Sequence, residues 1–350
     1  MFLGQGSYGK VFIRDNKAVK KFGKLSHLIQ EYTALKYLSD CDYIVHARGV
    51  DFKNLEIHME LYDLSLRKWL QEHDDDKDYF FYINNIIHDI LMGLIELHDR
   101  NLVHGDLKPG NILVRLKPFK VVLGDCGFVS IYKYAKVDKT AAVYRDPVVS
   151  HNTSHDMFSF GICLLEFLTK IRINKQASYS ELQQITKEKV TNKEYRRIIS
   201  SLLSENKDRR PTAREVFYFF FRSSPKPWSF LSIVPEDFSN SKLVVPLDTK
   251  DRDYIYNSMK KTCAQYNINR GKKGYGALVI YISSHFVPYE MYMLYIGVTV
   301  MILSSIFGES GFYEKEVLEL CNNKYQVSMV YKVLEELLSD QMFIRILLCP

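Results

Sequence analysis

His104-Gly105-Asp106-Leu107-Lys108-Pro109-Gly110-Asn111, followed after a short hydrophobic run by Gly124-Asp125-Cys126-Gly127, is the stretch on which the reading of this chain turns. Two carboxylates, an amide and a lysine at this spacing suit metal-assisted transfer of a phosphoryl group. One aspartate can take the proton of an attacking hydroxyl. An asparagine and a second aspartate can hold Mg2+, and the lysine can sit against the migrating phosphate.

The segments upstream supply a frame for that loop. Ile83, Ile86, Ile87, Ile90, Leu91, Leu94 and Leu97 recur at three- and four-residue intervals, with Asn84, Asn85, His88 and Asp89 opposite, which predicts a long helix delivering the chain to His104. The acidic run Asp74-Asp75-Asp76-Lys77-Asp78 before it reads as a solvated loop. Strands are expected around residues 45–51 and 55–60. Ser26 to Ser39 has helical spacing, with Leu28, Tyr32, Leu35 and Leu38 on one side and Ser26 as the expected N-cap. At the start, Leu3 to Val11 reads LGQGSYGKV. Its glycines at positions 4, 6 and 9 permit a tight hairpin whose backbone can approach a polyphosphate, and the strand Ala18-Val19-Lys20 carries a lysine that could reach it. No strand-then-helix pattern follows, which disfavours a dinucleotide-binding unit.

From about residue 3 to 222 the chain resembles eukaryotic-type protein kinase domains. The resemblance implies an α+β, bilobal fold, with a small β-rich N-lobe over residues 1–60 and a helical C-lobe over 63–222. It implies ATP and Mg2+ as cofactors and a protein substrate. By motif match, Asp106 is the catalytic base with Lys108 beside it, and Asn111 and Asp125 bind metal. Leu3, Gly4, Gln5, Gly6, Ser7, Tyr8, Gly9, Val11 and Ala18 would enclose the nucleotide, which Lys20 and Glu31 align. Met59 would back the adenine pocket, with backbone groups from Glu60 to Tyr62 bonding the base. His104, Asp156 and Arg210 are expected to support the catalytic loop. Lys108, within Asp-Leu-Lys-Pro, resembles serine/threonine kinases more than tyrosine kinases.

The departures carry expectations of their own. Gly105 stands where many kinases have an arginine that grips an activation-segment phosphate, so activation is expected without phosphorylation there. Tyr144-Arg145-Asp146-Pro147 resembles the end of that segment, but Val148 replaces the usual glutamate and leaves Arg210 without an assigned partner. Cys126, in place of the usual phenylalanine, reads as a buried, inert thiol.

Residues 223–250 read as a linker, and 251–350 as helical, with segments near 251–267, 275–286, 289–307, 312–322 and 326–340. Met291 to Gly308 is apolar nearly long enough to span a bilayer; Thr299, Ser304 and Ser305 and the absence of flanking Lys or Arg favour a buried core helix instead. The five segments resemble a cyclin box, which implies a cyclin-like domain acting in cis on the helix that bears Glu31. Of the lysine and glutamate that a cyclin offers its kinase, Ile306 stands in the place of the lysine, and either Leu334 or Glu335 fills that of the glutamate. The rival readings are a pseudokinase scaffold and a kinase whose bundle only docks substrates.

A net charge of +6 over 350 residues, with Arg270-Gly271-Lys272-Lys273 as the densest basic cluster, gives no nucleic-acid stripe. Cys41, Cys126, Cys163, Cys263, Cys321 and Cys349 form no Cys-x-x-Cys pair, and the first residues lack the pattern of a secretion signal. The expected setting is intracellular and cytoplasmic, without membrane insertion. The Lys, Asn and Tyr content suggests a large DNA virus, hence host cytoplasm or virion.

Overall fold

A computed structural model describes residues 1–5, 9–73, 79–131, 143–147, 152–173, 176–223, 225, 249–265, 268, 278, 281–282, 291–307 and 312–348. Several expectations concern positions outside this set: Gly6, Ser7 and Tyr8, the acidic run, Val148, most of the linker and of segment 275–286, the basic cluster and Cys349.

Strands β1 (Phe2–Gln5), β2 (Gly9–Arg14), β3 (Lys17–Phe22), β4 (Ala47–Asp51) and β5 (Glu56–Met59) form one antiparallel sheet in the order β1-β2-β3-β5-β4. Asp15 and Asn16 turn the β2–β3 hairpin with φ of 49° and 57°, the left-handed pair that a two-residue loop between twisted strands requires. Register follows from that turn: Val11 faces Lys20 and Ile13 faces Ala18. Ala18 then pairs with Met59 on the other side.

Helix α1 (Leu25–Tyr37) packs on this sheet. Its N-cap is Lys24, without a side-chain bond, so Ser26 lies inside the first turn rather than capping it. The helix is buried on more than its apolar stripe, for Glu31, Thr33 and Ala34 are covered as well as Leu28, Ile29, Tyr32 and Leu35. A helix enclosed on several sides needs two partners. The sheet is one; the C-terminal bundle is the other.

Beyond Met59 come β6 (Leu64–Ser65), α2 (Leu66–Glu72) and α3 (Tyr79–His98), the predicted long helix. Its polar side is partly covered: Asp89 accepts from the Val121 N–H at 2.8 Å, and His88 packs on Phe217 and Phe221. After β7 (Leu102–Val103) the catalytic-loop sequence leads into the hairpin of β8 (Ile112–Leu116) and β9 (Phe119–Leu123), which joins β6, while β10 (Ser130–Ile131) pairs with β7. Helix α4 (Thr153–Thr169) is buried from His155 to Phe167 and capped by Asn152. Capping boxes start α5 (Tyr179–Lys189), from Ser178 and Glu181, and α7 (Ala213–Phe221), from Thr212 and Glu215; α6 (Lys193–Leu202) lies between them.

The C-terminal region contains α8 (Thr249–Gln265), α9 (Tyr292–Phe307), α10 (Glu314–Leu320), α11 (Val327–Ser339) and α12 (Gln341–Leu348). Helix α9 is the apolar segment, and it is buried almost throughout against α8, α10, α11 and α1. Among the described residues no helix is long and apolar enough to cross a membrane. Helix α12 was not foreseen, since the expected segments ended at 340.

Candidate active site

Lys20 enters from the middle of the sheet and is only 3% exposed. Its Nζ donates to both carboxylate oxygens of Glu31, at 2.9 and 2.7 Å, and to Oδ1 of Asp125 at 2.6 Å. Burial pulls the Lys20 ammonium down, but the two carboxylates outweigh it and hold its pKa above the ordinary value. Burial pushes the Glu31 carboxyl up to about 7, with Lys20 pulling the other way. Burial also raises Asp125, and the charge and hydrogen bond of Lys20 overcome it, leaving that carboxyl below the usual value. Residues 105 apart in sequence thus meet at one cation.

Asp125 sits in the left-handed region, φ 55° and ψ 62°, immediately before the turn Cys126–Phe128. An aspartate held there is a strained placement, and the turn packs on α1. Cys126 is fully buried, and burial raises its thiol well above the usual value, so it is inert as expected.

Across the cleft, Lys108 Nζ and Asn111 Nδ2 both donate to Oδ2 of Asp106, at 2.6 and 2.8 Å, and Asn111 Nδ2 also reaches the Asp106 carbonyl. With its nitrogen spent, Asn111 keeps its amide oxygen for a cation; Asp125, with Oδ1 on Lys20, keeps Oδ2. One carboxylate and one amide oxygen fit Mg2+, a hard ion that takes its remaining ligands from water and phosphate. Among the described residues no group of three or more His, Cys, Asp or Glu is placed to hold an ion.

The loop is fixed from beneath by Asp156 of α4. Its carboxylate accepts the N–H of His104 at 2.7 Å and of Gly105 at 2.9 Å, with the His98 ring at 3.0 Å. Burial raises this carboxyl, but the His98 hydrogen bond and neighbouring histidines outweigh it and hold it below the ordinary range. His104, fully buried, lies with Nε2 3.0 Å from the Gly124 carbonyl and Nδ1 3.3 Å from the Asp106 N–H, which assigns the proton to Nε2. It therefore ties the two halves of the motif together. Gly105 has φ 79°, so a side chain at the position of the missing arginine would be strained in this conformation.

Of the positions expected to face a nucleotide, Leu3, Gly4 and Gln5 lie in the first strand and Gly9 and Val11 in the second. A Cβ on Gly9 would stand 2.4 Å from the Lys21 carbonyl oxygen, so only glycine fits. Ala18 and Met59 are paired and buried, at the end of the sheet nearest the hinge. The hinge expectation narrows: Glu60 spends its N–H on the His46 carbonyl, at 3.1 Å, and its carboxylate on Arg48, Arg115 and Tyr62. That N–H cannot also serve a base.

Arg210 does have a partner. Its guanidinium meets Asp146 at 2.5 Å with both side chains essentially inaccessible, so the carboxylate sought at position 148 is supplied two residues earlier. Sequence reasoning also missed a second network: Arg67 donates to the Tyr144 hydroxyl and to Glu166, which also accepts from Tyr144 at 2.9 Å. Arg67 lies on α2, Glu166 on α4 and Tyr144 on the segment before α4, and no motif marks Arg67 or Glu166.

A family model described as protein kinase domain matches residues 1–220. Among curated proteins, the chain is 30% identical over 200 residues to the serine/threonine-protein kinase SBK1 of Danio rerio, covering 48% of this chain and 49% of that one. It is 28% identical over 244 residues to the membrane-associated tyrosine- and threonine-specific cdc2-inhibitory kinase wee-1.1 of Caenorhabditis elegans, covering 61% and 51%. It is 24% identical over 251 residues to the interferon-induced, double-stranded RNA-activated protein kinase of Mus musculus, covering 61% and 48%. The chain spans about half the length of these relatives. With more than half of its residues matched by that model and the Lys20–Glu31–Asp125 bridge formed beside Asp106, the chain belongs to the protein kinase domain family.

Proposed function

We propose that the chain is a serine/threonine protein kinase, transferring the terminal phosphoryl group of ATP to a hydroxyl of a protein substrate. The observation that carries this reading is Lys20 bridging Glu31 and Asp125, because that bridge couples the nucleotide lobe to the metal-binding turn. Asp106, oriented by Lys108 and Asn111, accepts the proton of the attacking hydroxyl. Lys108, next to the reacting atoms, offsets charge on the phosphoryl group in flight. Asn111 and Asp125 would hold Mg2+, which would neutralise phosphate charge. Lys20 leaves Asp125 for the phosphates while keeping Glu31. The serine/threonine assignment rests on Lys108 and on the resemblance to SBK1. The pseudokinase reading finds no support in the polar residues, since none of the five that the chemistry needs is missing.

The domain plan is a kinase unit over residues 1–222, a linker, and a cyclin-like bundle over 251–350 that acts on α1 in cis. Contacts of α9, α11 and α12 with α1 favour positioning over mere docking of substrate. Tethering keeps the two units at an effective concentration of about millimolar.

The test is phosphoryl transfer to a generic protein substrate by Asp106→Asn. Removing a general base is expected to lower kcat by about 10²- to 10⁴-fold, with ATP affinity little changed. A variant as fast as the parent would refute the assignment.

A further inference from the structure

Helix α1 ends at Tyr37, and the last helix of the bundle packs against it. A side chain of the bundle reaches its last turn. Gln341, the first residue of α12, donates from Nε2 to the Lys36 carbonyl at 2.8 Å and to the Ser39 hydroxyl oxygen at 3.0 Å, across more than 300 residues of sequence. The Lys36 carbonyl also accepts the Ser39 N–H at 3.3 Å, so the Gln341 amide adds a second donor that ties the end of the helix to the bundle.

Gln341 is itself held firmly. Asp340, between α11 and α12, accepts the N–H of Met342 at 2.7 Å and of Phe343 at 3.1 Å, capping α12. Phe343 and Ile344 are buried, with the Phe343 ring 5.2 Å from that of Tyr281. On the neighbouring helix, Glu335 is near enough to Tyr32 of α1 to add to the raising of its phenol that burial begins. The other end of the path is the reaction centre: α1 carries Glu31, which grips Lys20, and α1 also packs on the turn after Asp125.

We propose that Gln341 is a positioning residue for phosphoryl transfer, its amide pinning the C-terminal turn of α1 so that Glu31 keeps Lys20 in place. This rests on the kinase reading and deepens it, by naming the contact through which the bundle regulates the site. The pin differs from the charge pair that a cyclin uses, whose lysine is replaced here by Ile306. It needs a hydrogen-bond donor only. A lysine at position 341 should serve, since a cation suits a helix C-terminus, whereas alanine and glutamate should not.

The experiment compares full-length parent, Gln341→Ala, Gln341→Glu and Gln341→Lys by radiolabelled transfer from ATP, and by amide hydrogen exchange over residues 25–38. Loss of one such hydrogen bond predicts about a fivefold fall in kcat/KM for ATP in the alanine variant, a larger fall for glutamate, and recovery with lysine. Exchange in the last turn of α1 should quicken in step. In a Glu31→Gln background, Gln341→Ala should cost nothing further. The proposal is overturned by an alanine variant within a factor of two of the parent in rate and exchange, by failure of lysine to rescue, or by an equal loss in the Glu31→Gln background. Exchange that quickens as foreseen in the variants, when the parent itself transfers no label, would instead defeat the kinase reading.

Discussion

Asp156 shows what a single buried carboxylate does in this structure. It is inaccessible, accepts two backbone N–H groups of the catalytic loop, and faces His98. Asp156→Asn would set an amide N–H against those donors, and should cost about 3 kcal/mol of stability in urea unfolding at neutral pH. The sign of the pH effect follows from the depressed folded-state value. The contribution is present above the unfolded value of about 3.8, and is lost as pH falls from there through the folded value, so parent and variant should converge on that descent. The Arg210–Asp146 pair makes a companion case. Asp146→Asn strands a buried guanidinium and should cost about 3–5 kcal/mol, more than removal of any exposed pair such as Lys68–Glu72. The two carboxylates differ in legibility. Asp156 was visible because the run His155-Asp156-Met157-Phe158-Ser159-Phe160-Gly161 resembles the core helix whose aspartate holds the catalytic loop in kinases, whereas the partner of Arg210 moved two places along a loop, where any acidic residue within reach can satisfy the charge. Position in a motif predicts a role only while the backbone around it keeps its path.

Helix α1 was legible as a helix from its spacing and illegible in its surroundings. Periodicity reveals an apolar stripe; it does not say that the opposite side, with Thr33 and Ala34, is also covered. That information is tertiary. The first-turn error is local, for Ser26 resembles an N-cap but Lys24 is the cap and the helix starts at Leu25, two residues earlier than that cap implies. Helix α12 escaped notice because Asp340 interrupts an apolar run that then resumes, and the aspartate caps the new helix instead of ending the fold. Phe343→Ala should test that element. Truncating so enclosed a ring is expected to cost about 3–5 kcal/mol and to lower the unfolding midpoint of the full chain in urea; a shift near zero would mean that α12 contributes no core.

Taken whole, the molecule places a helical bundle against the one element that carries Glu31. The apolar segment, described over 291–307, is therefore best understood as the bundle's interior, since α9 is buried on nearly every side. The catalytic half was readable because its chemistry demands particular polar residues in a fixed order, while the bundle is specified mostly by apolar spacing that many helical folds share. Deleting residues 251–350 removes the cover from the outer side of α1, and should reduce phosphoryl transfer by about tenfold or more, with unchanged turnover contradicting activation in cis. The most direct test of the account compares the intact protein with Asp125→Ala for transfer of label from radiolabelled ATP, in Mg2+, to a generic basic protein. Label should reach serine or threonine with the parent and fall to background with the variant or on chelation of the metal; no transfer by the parent, or equal transfer by both, would contradict it.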